Sequence, residues 1–224
     1  MQKTIALFSS AALMSFAFSA NAAVTGKIKF AGKSSDAAID MKSDPKCQKL
    51  SPGAKSDEIV ASGGGLADTF VYVAKVPAGK YKAKAEVTID QVGCKYSPKV
   101  SGVMVKQDFT IKNSDPTLHN IHAFAKRGEF NVGMPTQGQT IKKQFKKEEV
   151  LVSIKCDVHP WMQAWVGVLE HPFYAVSGAD GSFNIDAAGL ADGEYEIIAH
   201  HPKLGEKKGK AKIAGGNATV DFSF

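Results

Sequence analysis

Val150-Leu151-Val152-Ser153-Ile154-Lys155-Cys156-Asp157-Val158-His159-Pro160-Trp161-Met162, followed by Ala164-Trp165-Val166-Gly167-Val168-Leu169, sets a seven-residue loop between two apolar runs. Both runs are rich in β-branched residues and read as a strand entering the loop and a strand leaving it. The loop holds a thiol, an imidazole and a thioether. Upstream, Leu118-His119-Asn120-Ile121-His122 offers further imidazoles on another strand.

Taken singly, each of these side chains has a plain reading. Cys156 is a small buried hydrophobe, His159 a loop residue and Met162 core filler. Taken together they form a donor set: two imidazoles and a thiolate with a weak axial thioether describe a type 1 copper centre. Zinc is the rival metal, but it favours closed tetrahedral Cys/His sets, so the thioether of Met162 favours copper. Cys156, His159 and Met162, with one of the two upstream histidines, His119 or His122, are the expected donors to one copper ion. His122 lies three positions along the strand from His119, which puts it on the opposite face.

The strands elsewhere follow the same pattern. Val24-Thr25-Gly26-Lys27-Ile28-Lys29-Phe30 and Gln107-Asp108-Phe109-Thr110-Ile111-Lys112-Asn113 alternate, and Thr69-Phe70-Val71-Tyr72-Val73-Ala74 reads as a buried strand. Residues 32–62, rich in Ser, Lys, Asp and Pro, read as long loops. With frequent turns and no long helix, the expectation is a mostly β fold. From Glu170 a small unit begins with the hairpin Phe173-Tyr174-Ala175-Val176 to Ser182-Phe183-Asn184-Ile185. About 55 residues make a small independent core, so this unit is expected to pack on the first or to borrow N-terminal strands.

Residues 1–22 read as a signal peptide, with Lys3, an apolar stretch and Ala20-Asn21-Ala22 before the cleavage point. The mature protein is therefore expected in the periplasm or secreted, without a membrane span. Losing Lys3 takes the net charge from +6 to +5. Lysines without interleaved aromatics give no case for nucleic acid. The cluster Lys142, Lys143, Lys146 and Lys147 either solvates a face or steers an acidic partner. Three cysteines in an exported chain leave one over. The economical assignment is a Cys47–Cys94 disulfide with Cys156 kept as the metal thiolate; the alternative pairs Cys156 with one of the others. His171, His200 and His201 read as a surface turn or as a second, weaker metal site.

Cys156-Asp157-Val158-His159-Pro160-Trp161-Met162 resembles the copper loop of the cupredoxin (type 1 blue copper) family, most closely its amicyanin and plastocyanin branches. Leu118–His122 resembles the segment whose first histidine is a ligand in that family, so the resemblance implies His119, Cys156, His159 and Met162 as the copper ligands and leaves His122 out. The resemblance implies a cupredoxin-like Greek-key β-sandwich over 23–169. It also implies a linking role for Asn120 between the ligand loops and an electron-exit patch at His159, Pro160 and Trp161, with Trp161 at the surface or buried. Residues 170–224, through Ala179-Asp180-Gly181-Ser182-Phe183 and Gly193-Glu194-Tyr195, resemble a small carboxypeptidase-regulatory-like β-sandwich. The implied function is one-electron transport between a redox donor and acceptor, without catalysis. The alternatives are copper handling without electron transfer and an interaction module.

Overall fold

The computed structural model describes residues 22–83 and 85–224, so the expected signal peptide lies outside the described residues apart from Ala22. The chain is mostly β and forms two sandwiches. In the first, a five-stranded sheet runs in the order Phe130–Met134, His119–Phe124, Glu149–Lys155, Gln163–Leu169 and Val100–Met104. A four-stranded sheet of Thr140–Lys143, Phe109–Asn113, Val87–Val92 and Lys95–Ser97 faces it. Ile89, Phe109 and Ile111 from the smaller sheet share one core with Ile121, Ile154, Val166 and Val168 from the larger.

The expected division into 23–169 and 170–224 does not follow the sheets. Ala23–Lys29 pairs antiparallel with Ser182–Asp186 and parallel with Asn217–Thr219 and Phe222–Ser223. Phe70–Val73 lies between Tyr174–Val176 and Gly193–His201. The second sandwich is thus built from both ends of the chain. Its core joins Val24, Ile28, Val71 and Val73 to Phe173, Phe183, Ile185, Ile197 and Phe222. The physical reason is the small size of the C-terminal segment, whose apolar faces are covered only when the N-terminal strands are added.

The two sandwiches share a face. Along Gln163–Leu169, Ala164, Val166 and Val168 point into the first core, while Trp165 and Leu169 meet Phe70, Tyr72 and Ile198 of the second sandwich. This explains the unbroken apolar run at 164–169, since strands covered on both faces lose their polar alternation. Gly102 and Gly167 are cross-strand partners beneath this face. A Cβ at Gly167 would stand 2.2 Å from Phe70 Cζ, and one at Gly102 would stand 2.2 Å from Tyr174 Cε2.

Residues 32–62 are loops interrupted by one six-residue helix, Pro45–Leu50, capped by Asp44, whose carboxylate accepts from the amides of Lys46 and Cys47. The helix is fastened by the Cys47–Cys94 disulfide, as the cysteine count suggests. Cys94 sits in the two-residue turn Gly93-Cys94, both at positive φ (62° and 53°). Asp115 accepts from both turn amides, at 2.8 and 2.7 Å, and so offsets the strain of a left-handed cysteine. No helix among the described residues is long and apolar enough to cross a membrane.

The histidines of the second sandwich titrate against its fold. His201 is buried, and its Nε2 has no hydrogen-bond partner. Burial first, then the neighbouring His200, push it down to about 4. The unfolded chain therefore binds a proton below pH 6.5 that the folded chain refuses, so stability falls as pH drops from 6.5 toward 4. At pH 5 the expected loss from this group is about 2 kcal/mol. Urea midpoints of the metal-free protein at pH 7.5 and pH 5 should show it, and His201→Phe should shrink the difference by that amount.

Candidate metal centre

The centre sits at one end of the first sandwich, where three segments meet. His119 opens a strand, Cys156 follows the end of Glu149–Lys155, and His159 lies in the loop before Gln163–Leu169. The loop is closed by its own backbone: the Met162 amide donates to His159 O (2.9 Å) and the Cys156 amide to Met162 O (3.3 Å). His119, Cys156, His159 and Met162 are all buried, at 0, 3, 1 and 1 % exposure.

Three donors converge. His119 Nδ1 lies 3.0 Å from His159 Nδ1, and His159 Nδ1 lies 3.6 Å from Cys156 Sγ. Nitrogen and sulfur donors arranged around one ion in a plane stand about 3.6 to 3.8 Å apart. The set therefore fits a metal after a small outward movement of the imidazoles. Met162 is buried in the same core as Cys156.

Asn120 links the loops. Its Oδ1 accepts from the Asp157 amide (2.7 Å) and lies 3.3 Å from Cys156 Sγ, while its Nδ2 donates to Asp157 and Asn131. Its carbonyl accepts from the Tyr96 hydroxyl at 2.5 Å. The electrostatics favour a thiolate. Burial pushes the Cys156 thiol up, but contacts to His119, His159 and the Asn120 backbone outweigh it and bring it down to about 6. Burial likewise works against a charged His119, yet Asp115 and Cys156 hold it up at about 9.

The expected exit patch is altered. His159 is buried: its Nε2 lies 3.0 Å from Asp44 Oδ2 and 3.5 Å from Cys47 Sγ, so the capped helix covers the imidazole edge. Val158 and Pro160 are exposed beside it. Trp161 is half-buried, donating to Cys94 O (3.0 Å), with its ring 5.1 Å from that of His159. A covering helix was not legible in a segment without periodicity.

Two residues escaped the sequence reading. Asp115 meets His119 Nε2 at 2.9 Å, and Asp44 meets His159 Nε2. Asp115 was visible only as part of the turn Ser114-Asp115-Pro116, four residues before a histidine. His122 faces away from the centre and contacts Asp157 and Glu129 through its two nitrogens. Among the described residues, no grouping of three metal donors includes His171, His200 or His201. Lys142 and Lys143 pair with Thr110 and Phe109, at the end of that strand away from Asn113. Asn113 is the residue that reaches Met134, the cross-strand partner of His119.

No protein-family profile matches the chain, and no curated protein sequence matches it. Several solved structures are similar to part of it. The purple cupredoxin from Nitrosopumilus maritimus aligns at 25% identity over 37% of this chain and 99% of its own, with a TM-score of 0.32. A copper-containing nitrite reductase from Thermus scotoductus aligns at 24% identity over 43% of this chain and 26% of its own, with a TM-score of 0.34. An amicyanin variant in its Cu(I) form aligns at 22% identity over 44% of this chain and 97% of its own, with a TM-score of 0.33.

Proposed function

We propose that the chain is an exported mononuclear type 1 copper protein that carries single electrons between redox partners outside the cytoplasm. The observation that supports this best is the buried convergence of His119 Nδ1, His159 Nδ1 and Cys156 Sγ at one strand end. These three would supply the trigonal donors, and Met162 the weak axial thioether. Bound copper supplies a one-electron couple. The chain holds the donors in place before metal arrives, through Asn120, the loop hydrogen bonds and the core beneath. It also keeps water from the thiolate.

Copper(II) added to the mature protein should give an intense thiolate-to-metal absorption band in the visible, and Cys156→Ser should abolish it. A colourless wild-type protein, or a band that survives the substitution, would overturn the reading. The cover over His159 favours a second reading, in which copper is held without rapid electron exchange. Slow, irreversible voltammetry from a protein that shows the band would select it.

A further inference from the structure

We propose that Asp115 and Asp44 are positioning residues of the copper centre, each carboxylate holding the distal N–H of one imidazole ligand. This rests on the copper reading above. The contacts are short and enclosed: His119 Nε2 to Asp115 Oδ2 at 2.9 Å and His159 Nε2 to Asp44 Oδ2 at 3.0 Å. His119, His159 and Asp115 are 2 % exposed or less.

The other partners of the two carboxylates fix the direction of these bonds. Asp115 accepts from the amides of Gly93 and Cys94. Asp44 accepts from the amides of Lys46 and Cys47 and from the Thr117 hydroxyl. Both are therefore acceptors, and a carboxylate acceptor obliges each imidazole to donate from Nε2. Nδ1 is then the nitrogen each ring has left for a metal, and without one the two Nδ1 atoms lie 3.0 Å apart, where one donates to the other.

Two consequences follow. The first is geometric: each ring is held with Nε2 on its carboxylate and Nδ1 toward the metal position, from a different part of the chain. The second is electronic. An imidazole whose N–H is held by a carboxylate is a stronger donor, and a stronger donor favours the more highly charged Cu(II) over Cu(I). Asp44 has a further effect, because its helix is latched by the Cys47–Cys94 disulfide and closes the His159 edge.

The test uses the mature, copper-loaded protein with Asp44→Asn and, separately, Asp115→Asn. Each variant should keep the thiolate band, while its Cu(II)-over-Cu(I) preference falls by about tenfold. For a one-electron couple that raises the midpoint by about 59 mV. Asp115 also clamps the Gly93-Cys94 turn, so Asp44→Asn is the variant that decides if Asp115→Asn folds poorly. In the metal-free wild type, nitrogen NMR should show Nε2 protonated and Nδ1 bare on at least one of the two rings. Bands intact with unmoved midpoints, or rings protonated at Nδ1 only, would overturn the assignment. A wild-type protein lacking the band would overturn the copper reading itself.

Discussion

Replacing Cys47 and Cys94 together by alanine is expected to cost about 4 kcal/mol of stability, since the bridge closes a loop between residues 47 apart in sequence. For a chain of this size that corresponds to a fall in Tm of about 10 °C. Both cysteines are fully buried. The segment they fasten has little else to hold it: a helix as short as Pro45–Leu50 does not persist in water without tertiary support. Its other anchors are polar: Asp44 meets His159 Nε2 and accepts from the Thr117 hydroxyl, Ser51 Oγ donates to Gly93 O, and Lys46 Nζ donates to Pro116 O. The double substitution is the right variant, because a single one would leave a thiol free to pair with Cys156. Urea unfolding of the metal-free protein measures the loss. A change below about 1 kcal/mol would mean that the segment is held by its other contacts, and that the disulfide is not the latch over His159.

The legible part of this chain was the part where local pattern and burial agree. Val150–Leu169 reads as strand, loop and strand because one face of each strand enters the first core. The loop residues stand out because soft donors cluster there for no packing reason. The Cys47–Cys94 pairing was the economical choice because an odd count leaves one thiol over and Cys156 alone has metal-donor neighbours. What was hidden was long-range. Borrowing of N-terminal strands was one of two expectations for the small C-terminal unit, and Ala23–Lys29 alternates as clearly as any strand, yet alternation does not name the partner, and Ser182–Asp186 lies far along the chain. Asp44 lay in a stretch with no periodicity, and its place over His159 depends on a crosslink to a turn elsewhere. Trp165 and Leu169 read as buried, but only the second sandwich reveals what buries them.

Gly167→Ala tests that shared face, and it is expected to destabilise the protein by roughly 3 kcal/mol, at the upper end of overpacking costs. The added methyl would stand 2.2 to 2.6 Å from three atoms of the Phe70 ring. The ring has no free direction in which to retreat. It is fully buried and packs against the rings of Tyr72 and Tyr174, each with centroids 5.5 Å away. Relief therefore requires the two sandwiches to separate slightly, which exposes Trp165, Leu169 and Ile198. Gly133→Ala is the control, since a Cβ there has nothing within 4 Å and the residue does not need positive φ. Calorimetry should show one transition in the wild type and in Gly133→Ala. Gly167→Ala should melt lower, with the two sandwiches beginning to unfold separately. Gly102→Ala presses on Tyr174 and Phe70 from the neighbouring strand, so the double variant should cost less than the sum of the two single ones: once the interface has opened, the second methyl finds room. A Gly167→Ala protein as stable as the Gly133→Ala control would show that Phe70 is not seated between the sandwiches, and the cohesion of the two units would have to be sought elsewhere.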